Sequence, residues 1–286
     1  MTDRRAPNQI TDELGHLASA MLAARRFGLV WTQAISARVG NDYTDNASSA
    51  ILSTIRADGP LRLRDLTSGL GVPGPTLSRV VDRLVDNGDL KRSPGPAGGD
   101  GRAVLIEITA VGVEREQGIN QAIYDHGSDV GLDLKETVAH LEHLVDDAAS
   151  DAAPVPHDRG GHSIAGALAW LGITLGDTLR SISPSGDITE ALTLLAFVED
   201  EHSRPSIIAE RVGLSSGGTT KVLDRLESAG LIGRTFGTAG DRRGVDLHLT
   251  AEGGRQLRIM SDAAKPFLPA LLAAFQAAGD ELDRAG

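Results

Sequence analysis

The strongest constraint on the fold is a sequence pattern that occurs twice in the chain. The stretch Val80-Val81-Asp82-Arg83-Leu84 returns 142 positions later as Val222-Leu223-Asp224-Arg225-Leu226. The flanking residues keep the same offset, since Gly88 recurs as Gly230. A repeat over so long a period indicates the duplication of a whole domain, because solenoid repeats are much shorter.

The repeated stretch has the period of an amphipathic helix. In the first copy, the apolar residues that share one helix face are Leu77, Val80, Val81, Leu84 and Val85. A shorter helical pattern precedes them across the tight turn Gly71-Val72, which is the spacing of a helix-turn-helix. Two strand patterns follow at 90–93 and 104–109, with a loop rich in Gly and Pro between them. The second copy repeats this order, so each copy is predicted to be a winged helix-turn-helix domain.

Motifs in both copies carry a resemblance to a known family. Residues 224–234 read D-R-L-x-x-x-G-L-I-x-R, the loop contains Asp241-Arg242-Arg243, and the strand after it ends in L-T-x-x-G. These motifs resemble those of the MarR family of bacterial transcription regulators. The first copy departs from the pattern, because Asp89 replaces an apolar residue and Gly101 replaces the basic residue beside Arg102.

The resemblance extends over both halves of the chain and implies a tandem fusion of two such units. The fold class that it implies is mainly α with small β-wings, in which two winged helix-turn-helix domains share outer helices that form an intramolecular pseudo-dimer. The predicted units are residues 1–147 and 163–286. Residues 148–162, which are rich in Asp, Ala, Pro and Gly, are predicted to be the linker.

The charge of the chain is unevenly distributed. The net charge of −11 opposes indiscriminate binding to nucleic acid. Residues 62–102 nevertheless carry seven basic against five acidic side chains, and residues 204–243 carry seven against four. Each predicted winged module therefore has a weakly basic face on an acidic body.

The sequence offers no signal for membrane insertion, secretion or thiol chemistry. The N-terminal residues are polar and no apolar run reaches the roughly 20 residues that span a bilayer. The chain has no cysteine, which excludes disulfides and thiolate sites. We therefore expect a cytoplasmic protein that does not bind membranes and senses any signal non-covalently.

The candidate DNA contacts are polar and basic side chains of the second helix and the wing. A recognition helix reads base edges in the major groove, while cations and hydroxyls hold phosphates. An arginine at a wing tip can enter the narrow minor groove. The candidates are Thr76, Ser78, Arg79, Arg83 and Arg102 in the first copy, and Ser216, Gly218, Thr220, Lys221, Arg225, Arg242 and Arg243 in the second.

The resemblance also implies an effector pocket between the outer helices and each winged module. Candidate lining residues near the two junctions are Trp31, Arg25, Arg26, Arg38 and Trp170. Core packing is an alternative role for both tryptophans. A metal site is not predicted, since His140 and His143 lack a third ligand fixed by sequence. No cofactor motif and no catalytic motif is found, so an enzyme is not predicted.

The leading hypothesis is a sequence-specific transcription regulator, a repressor that a small molecule releases from double-stranded DNA. Because the exposed positions differ between the copies, the operator should have imperfect inverted half-sites, about 34 Å apart. The alternative is a scaffold of tandem winged helices that binds protein rather than DNA. Two questions stay open: whether one copy has lost DNA binding, and whether the chain is a monomeric pseudo-dimer or a homodimer.

Overall fold

The computed structural model describes two winged modules and the helices around them. The described residues are 7–95, 104–127, 134–147, 163–198, 202–236 and 245–284. The chain begins with one long helix, α1 (Pro7–Val39), where the sequence predicted either one helix or two collinear ones. Its buried stripe includes Leu17, Met21 and Phe27, which are at most 2% exposed.

The first winged module comprises residues 46–108. Its elements, in chain order, are α2 (Asn46–Asp58), β1 (Leu61–Arg62), α3 (Leu63–Leu70), α4 (Gly74–Asp86), β2 (Leu90–Pro94) and β3 (Val104–Ile108). The strands form an antiparallel sheet in the order β1-β3-β2, in which Ile106 of β3 pairs with both Leu61 and Arg92. The turn before α4 requires a left-handed residue, and Gly71 supplies it with φ 67°.

The second winged module comprises residues 188–249 and repeats this order of elements. They are α8 (Ile188–Leu195), β4 (His202–Ser203), α9 (Pro205–Val212), α10 (Ser216–Ser228), β5 (Ile232–Phe236) and β6 (Val245–Leu249). The sheet order is β4-β6-β5, and Leu247 pairs with both Ser203 and Arg234. The strands β1 and β4 were missed in the sequence, because two residues are too few to show a strand pattern.

Helices outside the modules complete the described chain. They are α5 (Ala110–Gly127), α6 (Leu134–Asp147), α7 (Ile164–Ile182), α11 (Ala251–Ala264) and α12 (Leu268–Asp283). The hydroxyls of Thr109 and Thr250 accept hydrogen bonds from the Gly112 and Gly253 amides, so α5 and α11 have matching N-terminal caps.

The chain divides into two compact units. One combines Met1–Phe27, Lys135–Ala153 and Leu175–Leu272, and so contains the second module. The other combines Gly28–Leu134, Pro154–Thr174 and Ala273–Gly286, and contains the first module. Each unit therefore takes segments from both halves of the sequence. The predicted boundary between the two units at residues 148–162 was based on the sequence repeat. These residues lie outside the described residues, so the boundary stays a prediction.

The apolar positions of the repeat form the core of each module. In the first module Leu77, Val81 and Leu84 of α4 are 0% exposed, and they pack in a core that also holds Ile51 of α2 and Ile106 of β3. The corresponding residues of α10 are buried as well. This packing fixes which face of each second helix is left for solvent.

Candidate nucleic-acid interface

The N-terminal half of α4 presents a small polar surface to solvent. Thr76 and Arg79 are exposed and Ser78 is half-buried, while Leu77 and Val80 anchor the opposite face. Arg79 has no hydrogen bond or ion pair with another described residue. Its guanidinium is exposed on the helix face that was predicted to contact DNA.

The N-terminal half of α10 presents a different surface at the equivalent positions. Ser215 caps the helix by accepting a hydrogen bond from the Gly218 amide at 3.2 Å. Ser216, Thr220 and Lys221 are exposed, and Gly218 is half-buried. Within the described part of the chain, Lys221 makes no hydrogen bond or ion pair. The two second helices thus offer one unengaged cation each, an arginine in the first module and a lysine in the second.

The other basic residue of each second helix is engaged inside its own module. Arg83 Nη2 donates to Asp45 Oδ2 and to Ser48 Oγ, both at 2.5 Å. Arg225 makes the matching contacts in the second module, where Nη2 donates to Asp187 Oδ2 and Nε to Glu190 Oε1, both at 2.6 Å. Both arginines were predicted to contact DNA, and the structure places each of them in an internal ion pair.

The acidic partners of these arginines also cap helices. Asp45 is the N-cap of α2 and accepts from the Ser48 amide, and Asp187 is the N-cap of α8 and accepts from the Thr189 amide. Burial alone would raise the pKa of Asp187, but the hydrogen bonds from Thr189 and the charge of Arg225 outweigh it and lower that pKa. The sequence analysis missed both acids, although they lie 142 residues apart and share the offset of the repeat.

A second pair of arginines joins each wing to its recognition helix. Arg92 of β2 pairs with Asp82 of α4. Arg234 of β5 pairs with Asp224 at 2.7 Å and with Glu227 at 2.8 Å, both on α10. These ion pairs connect the first strand of each wing to the second helix of its module, and they give Asp82, Asp224 and Glu227 a cationic partner.

The predicted wing contacts cannot be placed. Arg102, Arg242 and Arg243 lie outside the described residues. The strands that lead to them expose apolar side chains, since Val104 is 51% and Phe236 is 72% exposed. Two residues further along the same strand, Ile106 is 3% exposed, so burial begins after the first residue of β3.

The predicted effector residues have several different environments. In the unit with the second module, Arg25 Nε donates to the carbonyl of Val212, the last residue of α9, at 3.3 Å, and Arg26 is exposed. In the unit with the first module, Arg38 pairs with Asp125 at 2.9 Å, Trp31 is 6% exposed and Trp170 is half-buried. Arg25 therefore has a capping role, and burial lowers its pKa from the ordinary value.

The histidines of α6 pack against α1. The ring of His140 stacks on that of His16 with centroids 4.4 Å apart, and the ring of His143 lies 6.4 Å from that of His16. Among the described residues, no group of three or more histidine or carboxylate side chains is arranged to hold a metal ion. The described helices also include none that is long and apolar enough to cross a bilayer.

The first module is similar to a known family of proteins. Residues 46–104 match the model of the MarR family. The matched segment begins with α2, one residue after Asp45, and ends at the start of β3, so it contains α4 and Ser48, the second partner of Arg83. The MarR-type features of this segment are therefore the helix-turn-helix and its wing.

Two regulators of Bacillus subtilis (strain 168) are similar to part of the chain. The HTH-type transcriptional repressor MdtR is 40% identical over 78 residues, which are 27% of this chain and 50% of MdtR. The uncharacterized HTH-type transcriptional regulator YwoH is 28% identical over 96 residues, which are 32% of this chain and 68% of YwoH. The chain thus spans half the length of MdtR and about two thirds of YwoH.

Proposed function

We propose that this chain is a sequence-specific, DNA-binding transcription regulator built from two MarR-type units in tandem. The observation that carries the proposal is the pair of second helices, each buried on one face and exposing hydroxyls on the other. Beside the hydroxyls each helix exposes one cation, Arg79 or Lys221, that makes no ion pair with the residues that the structure describes. Such a helix face fits the major groove, where hydroxyls and cations contact base edges and phosphates.

The tandem arrangement is supported by the repetition of structure as well as sequence. The two modules have the same order of helices and strands and the same sheet order. The Arg83–Asp45 pair also recurs as Arg225–Asp187, and each acid caps the first helix of its module, α2 or α8. The match to the MarR family lies in the first module. The second unit is assigned by its likeness to the first.

Repression and release by a small molecule are the finer part of the proposal. MdtR is named as a transcriptional repressor, and this chain is similar to half of it. Release would require an effector to move the outer helices that adjoin the modules. Trp31, Arg38 and Trp170, together with Arg26, remain the candidate lining residues, and a cytoplasmic location follows from a role on DNA.

A binding titration tests the proposal. A library of duplexes with 30 randomised base pairs is selected on the purified chain, and the enriched duplex is compared with a scrambled one at 50 and 200 mM salt. We expect preference for the enriched duplex, with affinity falling about a thousandfold or more between the two salt concentrations if about six phosphates are contacted.

Matched substitutions make the titration specific to the proposed face. Arg79→Ala and Lys221→Ala should weaken binding, whereas Arg258→Ala, which removes an exposed arginine of α11, should leave it unchanged. Failure to enrich any duplex would contradict the proposal. It would favour the alternative of a scaffold that binds protein.

A further inference from the structure

The first module holds a buried carboxylate at the base of its wing. Asp89 directly precedes β2 and is 0% exposed. The hydroxyl of Tyr43 donates to its Oδ2 at 2.5 Å, and Arg115 Nε donates to its Oδ1 at 3.4 Å. The guanidinium carbon of Arg115 also lies 4.5 Å from the centre of the Tyr43 ring. The departure from the MarR pattern at Asp89 is therefore matched by two partners elsewhere in the chain.

The three residues belong to three different parts of the unit. Tyr43 lies in the single turn of 3₁₀ helix between α1 and α2, Asp89 at the base of the wing, and Arg115 in α5. Arg115 Nη1 also donates to the carbonyl of Val39, the last residue of α1, at 3.4 Å. The network thus joins the end of α1, the wing and α5 through directional contacts.

The second module has different residues at the same places. At the offset of 142 residues, Ser185 stands for Tyr43 and Leu231 for Asp89. The second copy is one residue shorter between its two wing strands, so from Thr109 and Thr250 onward the offset is 141 and Gln256 stands for Arg115. Leu231 is 6% exposed, and Ser185 donates instead to Glu190. The burial of an apolar side chain such as Leu231 is non-directional, so small shifts of the neighbouring helices cost little free energy. A buried carboxylate that loses a hydrogen-bond donor is instead left as an unpaired charge, which is strongly destabilising.

We propose that Tyr43, Asp89 and Arg115 form a latch that couples α5 and the end of α1 to the orientation of the first wing. Movement of these outer helices then changes the DNA contacts of the first module and leaves those of the second module unchanged. This inference rests on the proposed function for its DNA readout. The three residues are positioning residues, since none of them reaches the exposed face of α4.

Amide hydrogen exchange tests the latch without DNA. Tyr43→Phe removes one hydroxyl and keeps the ring beneath Arg115. The substitution also removes the acceptor of Asn87 Nδ2, which lies 3.2 Å from the hydroxyl. We expect exchange in β2 and β3 to accelerate about tenfold or more, the effect of losing a hydrogen bond to a charged group, while β5 and β6 keep their rates. The matched control is Tyr124→Phe in α5, the other tyrosine of the chain. Equal changes in both wings, or no change in either, would overturn the latch.

A hydroxyl-radical footprint separates positioning from mere packing. The probe is the duplex enriched by the wild-type chain. The triple variant Tyr43→Phe, Asp89→Leu, Arg115→Gln replaces the network with neutral groups, and it should recover the stability that Asp89→Leu alone loses. We expect protection of one half-site to stay reduced in the triple variant. Recovery of that protection together with stability would show a packing role only and overturn the proposal. If the wild-type chain enriches no duplex, the proposed function fails and the exchange experiment still decides the latch.

Discussion

Asp187 caps helix α8 and at the same time accepts a hydrogen bond from Arg225 of the recognition helix at 2.6 Å. The same carboxylate thus caps the first helix of the module and holds a side chain of its third helix, α10. In the first module Asp45 does the same for α2 and Arg83, at 2.5 Å. The second module adds Glu190, whose side chain is 10% exposed, where the first has the neutral Ser48.

Arg225→Ala should destabilise the protein more than Arg83→Ala. It leaves the nearly buried Glu190 without its cation, so we expect a loss of about 1–3 kcal/mol, against about 0.5–1.5 kcal/mol for Arg83→Ala, whose pair is half-exposed. Urea unfolding measures both. Lys221→Ala is the control and should stay within about 0.5 kcal/mol of the wild type. Equal losses for Arg225→Ala and Lys221→Ala would contradict the internal role of Arg225.

Asp187→Asn should give a stability difference that depends on pH. Asparagine still caps a helix, so the substitution keeps the acceptor for the Thr189 amide and removes the charge and the oxygen that accepts from Arg225. The pKa of Asp187 is lowered from its ordinary value of 3.8, so its charged form stabilises the folded state above that value. This stabilisation is lost as the pH falls through the lower pKa of the folded state. Urea midpoints between pH 6 and pH 2 should therefore converge for the two proteins below about pH 4. A constant difference would rule this out.

Gly253→Ala should be strongly destabilising, and its neighbour provides the control. A Cβ at Gly253 would lie 2.1 Å from the backbone oxygen of Leu231, whereas a Cβ at Gly254 would meet nothing within 4 Å. We expect a loss of about 2–4 kcal/mol for Gly253→Ala and a gain of up to about 1 kcal/mol for Gly254→Ala, since alanine favours helix. Thermal unfolding compares them, and similar melting temperatures would contradict the close approach.

Arg25→Ala should weaken the second module, because it removes the donor to the Val212 carbonyl at the end of α9. A cation at a helix C-terminus also interacts favourably with the helix dipole. Because both interactions are lost, we expect the free energy of unfolding to fall by about 1–2 kcal/mol. Arg26→Ala, one residue further along, removes an exposed side chain and should change stability by less than about 0.5 kcal/mol. Chemical denaturation distinguishes the two, and a reversed order would exclude the capping role.

Arg243→Ala should weaken DNA binding more than Arg102→Ala. The second wing has Arg242 beside Arg243, whereas Gly101 precedes Arg102 in the first, so the second wing carries the stronger positive charge. Titration of both variants against the duplex enriched by the wild-type chain measures the difference. Equal losses would show that the two wings contribute alike.

The sequence predicted the repeated helices well because their signal is local. Helices α4 and α10 are predicted by apolar residues at helical spacing. The threonine that caps α11, Thr250, is part of the L-T-x-x-G motif. What could not be predicted depends on distant partners. The role of Asp89 requires Tyr43, 46 residues before it, and Arg115, 26 residues after it. Helical periodicity places Arg83 and Arg225 on the polar face of their helices, but it does not indicate their acidic partners, which lie 38 residues earlier in the chain.

The attachment of the two wings by different residues has a consequence for how such a protein can vary. In a symmetric homodimer encoded by one gene, any substitution appears in both subunits, so both halves change together. Two modules in one chain are free of that restriction. Asp89 and its two partners occur in the first half of the chain, whereas the second half has the apolar Leu231 at the equivalent position. One polypeptide can therefore combine a wing attached by directional hydrogen bonds with a wing attached by apolar contacts. A mutation can alter either attachment without changing the other.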